Sequence, residues 1–262
     1  MKLSIVVPAY RQEATIGEDI RRLEQALAAT GHDYELIVVV DGLVDRTYER
    51  ALAAAGERVR VLAYRDNCGK GHAVRYGMAQ AEGEIVGFID AGMDLNPRGI
   101  GVLLAQMLAH GADIVIGSKR HPASRVQYPP LRRLYSWGYQ MLVRVLFGLR
   151  VKDTQVGLKL FRREVVARVL PLLLVKRFAF DIEFLAVAHA LGFRRIEEGP
   201  VELTHRFNST IHLGSVWNML WDTAAVFYRL RLLRYYQRLA EHLHDVQAGH
   251  DVQAGDVQAK SV

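Results

Sequence analysis

The chain is poor in the features that hold small secreted scaffolds or membrane bundles together. Cys68 is the single cysteine among 262 residues, so no disulfide can form within the chain, which is typical of a reducing compartment. No run of about 18 uncharged apolar residues occurs, and residues 211–233, which come nearest to one, contain Asn, Asp and Arg. The apolar run after Met1 is too short for a secretory signal. We therefore expect a soluble or monotopic protein that does not span a membrane.

Two nucleotide-binding signatures are also missing. The chain contains no G-x-x-x-x-G-K-[ST] sequence and no G-x-G-x-x-G after its first apolar run, which disfavours a P-loop ATPase and a dinucleotide-dependent dehydrogenase. Its composition is ordinary, with 50% hydrophobic and 24% charged residues. Such a composition excludes a collagen-like or wholly disordered chain, and the length is sufficient to bury a large core.

The basic charge of the chain is concentrated in two segments. Residues 114–152 contain eight basic residues and residues 223–240 contain four, and neither segment has an acidic one. Of 34 basic and 28 acidic residues in all, 22 basic and 28 acidic residues remain elsewhere, so a formal charge of +6 divides into +12 and −6. Both segments interleave Arg and Lys with apolar and aromatic residues, which is typical of a membrane-surface element. We therefore expect an anionic membrane surface as a partner, and no nucleic acid.

Apolar runs rich in Val and Ile alternate with helical spacing through the first 117 residues. This alternation predicts a Rossmann-like, mostly parallel α/β sheet covered on both faces, with ligands at the carboxyl ends of its strands. The predicted strands are residues 3–7, 36–40, 59–63, 85–89, 114–116 and 157–161, with 194–197 and 201–205 as further candidates. The predicted helices are residues 16–29, 48–55, 71–80, 99–110, 135–147, 165–174, 181–191 and 216–239.

Residues suited to chemistry follow four of these strands, and the first strand is followed by residues 8–13, a rigid proline turn with an aromatic residue. Asp90, with Asp94 nearby, is a carboxylate site able to hold Mg²⁺ or Mn²⁺ against a diphosphate. Lys70 opens a helix between two glycines, where backbone N–H groups and an ammonium can meet phosphate. Asp41 offers an acceptor for a base or ribose. Taken singly, such Asp and Gly residues are turn and N-cap residues, but their gathering at one edge favours a site.

These motifs resemble the donor half of family 2 glycosyltransferases. The residues that carry this resemblance are Pro8, Ala9, Tyr10, Glu13, Asp41, Gly42, Asp45, Thr47, Asn67, Gly69, Lys70, Gly71, Arg75, Gly77, Asp90 and Ala91. The later part resembles the polyprenyl-phosphate subgroup, the dolichyl-phosphate mannose and glucose synthases and their undecaprenyl-phosphate relatives. It does so through residues 117–119, 153–161 and 180–183, of which the string 153–161 is the most specific. The resemblance spans roughly residues 3–238.

The resemblance implies a GT-A type fold and a set of site residues. The nucleotide-sugar site would consist of Pro8, Ala9, Tyr10, Glu13, Asp41, Lys70, Gly71, Asp90 and Ala91. The acceptor phosphate would be held by Lys119, Arg132 and Ser136, with Arg120 and Arg133 as alternatives. Asp90, Asp153 and Asp181 would be catalytic, although Asp181 stands between apolar residues that also fit a structural role.

Two departures from the family pattern concern the donor site. The acidic pair before Gly42 is reduced to Asp41, because Val40 precedes it. The usual Asp-x-Asp ends in Gly92, which has no side chain to bind a metal. We expect Asp94 to join Asp90 as a ligand of a divalent Mg or Mn ion, or the diphosphate itself to hold the metal.

The expected domains are a glycosyltransferase catalytic domain over residues 1–210, an amphipathic helical segment over 211–242 and a disordered tail over 243–262. The tail repeats a D-V-Q-A sequence that is too short and polar to order itself. The helix over 135–147 carries residues able to enter the membrane interface, namely Tyr135, Trp137, Tyr139, Leu142, Leu146 and Phe147. Alternatively, this helix and the last one pack on the sheet or across a homodimer.

The resemblance implies inverting transfer of a hexose from a UDP- or GDP-hexose to an undecaprenyl or dolichyl phosphate. We expect the enzyme to be cytoplasmic and peripherally attached to the inner face of the membrane, where such an acceptor would lie. A phosphate monoester has a second pKa of about 6, so it needs positioning more than it needs a base. A transferase acting on a soluble hydroxyl acceptor, or a catalytically weak nucleotide-sugar-binding protein, are the alternatives.

Overall fold

The computed structural model describes residues 1–124, 130–176, 179–204, 213–243 and 245. Within them, seven strands form one sheet in the order β3-β2-β1-β4-β6-β5-β7. The strands are β1 (Lys2–Ala9), β2 (Asp33–Asp41), β3 (Val59–Tyr64), β4 (Ile85–Ile89), β5 (Ile114–Ser118), β6 (Leu158–Arg162) and β7 (Ile196–Pro200). The pairs β1–β2, β1–β4, β2–β3 and β5–β7 are parallel, whereas β6 runs antiparallel to both β4 and β5. The predicted mostly parallel α/β sheet is confirmed.

Helices cover both faces of the sheet. They are α1 (Ile16–Ala28), α2 (Thr47–Ala54), α3 (Lys70–Ala79), α4 (Gly99–His110), α5 (Pro130–Phe147), α6 (Arg163–Val169), α7 (Phe180–Ala190) and α8 (Leu213–Phe227). Side chains alternate between the faces along each strand. Val6 and Phe88 pack with α3, α6 and α7, whereas Ile5, Val7 and Ile89 pack with α1 and α4. The runs of β-branched residues are therefore buried on both sides, as a parallel sheet requires.

The structure corrects the prediction of one continuous helix over residues 216–239. Helix α8 ends at Phe227 and leads into a π-helical turn, Tyr228–Leu232. Arg234 then takes a left-handed conformation with φ 49°, and a separate helix runs over residues 235–243. Tyr236 is buried in the core, where its hydroxyl donates to Glu183 Oε1 at 2.6 Å. An unbroken helix would continue the apolar stripe, but the break turns Tyr236 inward.

Other sequence expectations meet mixed outcomes. The candidate strand over 194–197 is β7, which begins two residues later at Ile196. Residues 201–205 do not form a sheet strand as far as they are described, since Leu203 makes only an isolated bridge to Leu95. The predicted tail lies outside the described residues from position 246 onward. None of the described helices combines the length and the apolar character needed to cross a bilayer.

Helix α5 has an inner face that packs on the protein and an outer face that does not. Phe147 is buried and its ring lies 6.3 Å from that of Phe227 in α8. Tyr139 Oη and Thr223 Oγ1 are 3.0 Å apart. The expectation that Tyr139 and Phe147 enter a membrane interface is therefore wrong, because both face α8. Trp137 is exposed, as that expectation requires.

Candidate active site

The carboxyl ends of β2, β1 and β4 lie side by side at one edge of the sheet. These three strands are consecutive neighbours and parallel, so the loops after Ala9, Asp41 and Ile89 leave the sheet at the same edge. The N-terminus of α3, which begins at Lys70, lies at the same edge. Residues far apart in sequence meet there, where ligands of open α/β sheets bind.

Asp41 organises the loop that leads into α3. Its Oδ1 accepts hydrogen bonds from the Cys68 N–H at 2.7 Å and the Tyr64 hydroxyl at 2.8 Å. Its Oδ2 accepts from the Gly69 N–H at 2.9 Å and from Asn67 Nδ2 at 3.0 Å. Burial, together with the Asp41 carboxylate, raises the pKa of Tyr64 above its usual value. The buried carboxylate thus fixes the backbone just before Lys70, and its predicted contact with a nucleoside stays a prediction.

Asp90 and Lys70 form an ion pair at the centre of this edge. Lys70 Nζ lies 2.8 Å from Asp90 Oδ1 and 3.0 Å from Oδ2. The Asp90 N–H donates to the Gly157 carbonyl at 2.9 Å, and a Cβ added at Gly157 would overlap the Asp90 carboxylate. Only a glycine at this position lets the carboxylate lie flat against the neighbouring backbone. The glycine of the 153–161 string therefore supports Asp90 directly.

A second ion pair lies behind the first. Lys159, on the central antiparallel strand β6, donates to Asp181 Oδ1 at 2.5 Å and to the Val156 carbonyl at 2.6 Å. Lys70 Nζ lies 3.8 Å from Asp181 Oδ2, so it stands between two carboxylates. The two pairs therefore form a line of charges of alternating sign, from Asp90 through Lys70 and Asp181 to Lys159.

Burial and neighbouring charges act in opposite directions on the two lysines. For Lys70, burial favours the neutral amine, but Asp90 and Asp181 outweigh it and raise the pKa above its ordinary value. Burial lowers the pKa of Lys159, and Asp181 opposes that change. Sequence reasoning missed Lys159, although a lysine between two leucines in a predicted strand is an unusual core residue.

Asp153 lies on the far side of the site, at the end of β5. Its Oδ2 accepts from the Lys119 N–H at 3.2 Å, and its own N–H donates to Glu198 Oε1 at 3.1 Å. Burial raises the pKa of Asp153, and the charge of Lys119 opposes that change. Arg120 Nη1 donates to Gln140 Oε1 of α5 at 2.6 Å, which joins the loop after β5 to that helix.

The remaining predicted acceptor-phosphate residues are Arg132, Arg133 and Ser136. They belong to α5, but their side chains lie outside the described residues.

The loop from Asp90 to Asp94 is held by hydrogen bonds to helix α1 and to the segment after β7. Gly92 has φ +85° and its N–H donates to Asp19 Oδ2 at 3.0 Å. Asp94 is exposed, and its carbonyl accepts from the Thr204 N–H at 2.9 Å. Glu13 Oε2 accepts from the Arg46 N–H at 3.1 Å and is thereby tied to the loop after β2.

The carboxylates of this site suit a divalent metal that is bound together with a phosphate ligand. Within the described residues no three His, Cys, Asp or Glu side chains converge on a point where they could hold an ion. Mg²⁺, however, is often held by one or two carboxylates together with substrate phosphates. The Asp90 carboxylate, at the strand end, is therefore suited to a metal that arrives with a diphosphate, and less so to a metal held by protein alone.

The other predicted donor residues line the edge. Pro8 and Ala9 end β1, and Tyr10 projects beyond it with the Arg11 guanidinium 5.3 Å from its ring centre. Gly71 is buried in the first turn of α3, and Ala91 is half-buried after Asp90. The structure thus brings the donor-site residues on β1, β4 and α3 to one edge.

The family model and the most similar relatives point to the same class of enzyme. Residues 4–170 match the family model described as glycosyl transferase family 2. The chain is 37% identical over 247 residues to the dolichyl-phosphate beta-glucosyltransferase of Drosophila melanogaster, covering 84% of this chain and 74% of that protein. It is 34% identical over 257 residues to the human protein of the same name, covering 92% and 78%.

Among solved structures, the glucosyl-3-phosphoglycerate synthase of Mycobacterium tuberculosis, crystallised with Mn²⁺, UDP and phosphoglyceric acid, superposes with a TM-score of 0.66. That match has 24% identity and covers 87% of this chain and 77% of the other. The likeness confirms the predicted GT-A type fold.

Proposed function

The chain belongs to glycosyl transferase family 2, and on that premise we propose that it transfers a hexose from a nucleoside diphosphate sugar to a polyprenyl phosphate. The observation that carries this proposal is the 37% identity to a dolichyl-phosphate beta-glucosyltransferase over most of both chains. The names of that relative and its human counterpart favour glucose as the sugar. The geometry agrees, because the site combines a carboxylate, an ammonium and a helix N-terminus at one sheet edge.

The donor diphosphate would bind at the edge formed by β4 and α3. The N-terminal N–H groups of α3 and the Lys70 ammonium are suited to bind phosphate oxygens. Asp90, together with the diphosphate, would hold a divalent metal, which would supply positive charge to the leaving nucleoside diphosphate. Gly157 leaves room for the Asp90 carboxylate at the strand end, where it would meet the diphosphate.

The acceptor phosphate would bind beside Lys119 and Arg120, at the end of β5. It is largely dianionic at neutral pH because its second pKa is about 6, so positioning contributes more than deprotonation. Asp153 is next to this position, where it can orient a sugar hydroxyl or the acceptor. For Asp181, its burial and its ion pair with Lys159 support a positioning role over that of a base. A single displacement inverts the configuration at the transferred carbon.

We further propose that α5 and α8 attach the protein to the inner face of the membrane. On α5, the exposed apolar residues are Trp137, Met141 and Val145. On α8 and the turn that follows it, they are Trp221, Tyr228 and Leu232. Basic residues accompany both groups at Arg144, Arg229 and Arg231. Each such charge contributes about 1 kcal/mol near an anionic leaflet. Together they would hold the acceptor site against the surface that contains the lipid phosphate.

The experiment is transfer of radiolabelled sugar from UDP-glucose, UDP-galactose and GDP-mannose to dolichyl and undecaprenyl phosphate. Label that enters the organic phase supports the proposal, provided that Asp90→Asn abolishes it. Label that stays with a soluble hydroxyl acceptor would overturn the lipid assignment. Donor binding without turnover on either acceptor would make the protein a nucleotide-sugar binder.

A further inference from the structure

The line of four charges becomes steadily less exposed from the site into the core. The side chains of Asp90, Lys70, Asp181 and Lys159 are 42%, 20%, 3% and 1% exposed. The outer pair can therefore meet a ligand, whereas the inner pair cannot. The one inward neighbour of Lys70 in the line is the buried Asp181 carboxylate.

The Lys70 ammonium lies closer to the Asp90 carboxylate than to that of Asp181. Its Nζ is 2.8 Å from Asp90 Oδ1 but 3.8 Å from Asp181 Oδ2, so a shift of about 1 Å would exchange one partner for the other. The lysine ammonium is a compact charge on a flexible stem with rotatable donors, which suits it to such an exchange. The Phe88 ring lies 5.2 Å from Lys70 Nζ and gives the ammonium a further favourable contact along the way.

Asp181, in contrast, is held in place. Lys159 binds its Oδ1 at 2.5 Å and is itself anchored to the Val156 carbonyl at 2.6 Å. A buried carboxylate keeps its charge only when it is paired and hydrogen-bonded. Lys159 therefore provides Asp181 with a fixed partner on one oxygen and leaves the other oxygen directed towards Lys70.

We propose that Lys70 is a displaceable counter-ion: a divalent metal arriving with a diphosphate takes over Asp90, and Lys70 moves to Asp181, which Lys159 holds ready. The inference rests on the proposed function, because it takes Asp90 as the place where the metal–diphosphate binds. The ammonium donates to Asp90 Oδ2 and lies 2.8 Å from Oδ1, which is buried and accepts no hydrogen bond from the described residues, so a metal alone must compete with it for this carboxylate. A diphosphate offsets that competition, since its oxygens add ligands to the metal while the displaced Lys70 pairs with Asp181.

The competition is tested by measuring how tightly the full chain binds Mn²⁺ without nucleotide. The readout is the loss of the electron paramagnetic resonance signal of free Mn²⁺. We expect weak binding by the wild-type protein and binding tighter by about tenfold, within the usual range of coupling between sites, for Lys70→Met. The control is Lys2→Met, which also removes a paired lysine, because Lys2 binds Glu82 at 2.7 Å near the opposite edge of the sheet. Lys2→Met should bind Mn²⁺ as the wild type does.

The receiving carboxylate is tested by calorimetric titration of UDP with and without Mn²⁺. Asp181→Asn combined with Lys159→Met removes both charges of the inner pair, so neither partner is left buried alone. Lys70 then has no second carboxylate, and we expect UDP affinity in Mn²⁺ to fall by about tenfold. UDP affinity without metal should change less than about twofold.

The outcomes separate the inference from the function on which it rests. Unchanged Mn²⁺ binding by Lys70→Met, or unchanged UDP affinity in Mn²⁺ for the double variant, overturns the counter-ion exchange alone. A wild-type protein that binds no UDP in the presence of Mn²⁺, nor any other nucleoside diphosphate, overturns the proposed function and the inference with it.

Discussion

The two edges of the sheet each contain a carboxylate cluster, and the clusters are built in opposite ways. At the amino edge, Glu35 is buried and accepts from Ser4 Oγ at 2.5 Å, the Glu82 N–H at 2.7 Å and Arg60 Nη1 at 3.2 Å. At the carboxyl edge, Asp90 is half-exposed and its charged partner is the flexible Lys70. The first carboxylate is saturated by several groups from different elements, whereas the second is able to exchange its partner.

A carboxylate saturated by fixed donors is typical of a structural cluster, whereas one with a single exchangeable partner is typical of a functional site. Ser4 and the Glu82 backbone belong to a strand and a tight loop, so the donors around Glu35 are fixed by the sheet itself. Burial alone would raise the pKa of Glu35, but those hydrogen bonds and Arg60 outweigh it and hold the pKa below its usual value. We expect changes at Glu35 to alter stability, and changes at Asp90 to alter activity.

The largest effect is expected for Asp90→Asn. Loss of the carboxylate removes electrostatic stabilisation of the leaving diphosphate, so kcat should fall by about 10³-fold. The thermal unfolding midpoint should change little, because the side chain is 42% exposed. Initial rates with labelled donor and a thermal melt measure the two quantities, and a melt lowered as much as that of a core variant would contradict this picture.

Glu35→Gln should lower stability and leave activity unchanged, the opposite of Asp90→Asn. The amide replaces one acceptor oxygen with an NH2 group, which then faces either the donors Ser4 and Glu82 N–H or the donor Arg60, and Arg60 loses its charged partner in both cases. We expect the free energy of unfolding to fall by about 3 kcal/mol, as when a buried charged network is broken. Urea denaturation provides the measurement. KM for the donor should stay unchanged, and an altered KM would show that the two edges are coupled.

Gly157→Ala should reduce activity by a smaller factor, about 30-fold, because the added methyl group displaces the Asp90 carboxylate. The matched control is Gly138→Ala on α5, where an added Cβ meets no atom within 4 Å. Initial rates of both variants at saturating donor decide the question. Equal rates for the two would mean that the position of the Asp90 carboxylate is not critical.

The smallest effect concerns the pH dependence of stability. The pKa of Glu35 is lower in the folded protein than its ordinary value of 4.5, so its stabilising contribution is complete above that value. It is lost as the pH falls through the folded-state pKa. Urea denaturation of the wild type below pH 4.5 should show this loss, and Glu35→Gln should show a shallower decline. Parallel curves would remove Glu35 as the cause.

The donor edge is predictable from sequence because it depends on local rules. β-branched runs predict buried parallel strands, and residues after such strands share an edge, so the pattern alone predicts that Asp90 and Lys70 lie close together, as the structure has them. The inner pair could not be predicted in this way, because β6 joins β4 by long-range antiparallel pairing and its Lys159 meets Asp181 on helix α7. A pattern of apolar residues does not reveal that a lysine among them has a buried partner.

The C-terminal helix shows the same limit in another form. Its apolar spacing continues past residue 233, so periodicity predicts one helix. Beyond the break at Arg234, Tyr236 donates to Glu183, which also accepts from the N–H groups of Leu174 and Val175. These tertiary hydrogen bonds stabilise the broken conformation, and no local spacing reveals them.

The antiparallel insertion of β6 between β4 and β5 has a consequence for the order in which the chain matures during synthesis. Strands β1 to β4 are complete by Ile89, yet the second neighbour of β4, strand β6, is not made until residues 158–162. That same strand delivers Lys159, and the turn before it delivers Gly157. A nascent chain thus contains its donor-binding loops about 70 residues before Gly157 and Lys159 are available to contact Asp90 and Asp181. The scaffold of the donor edge is therefore synthesised before the residues that complete its line of charges.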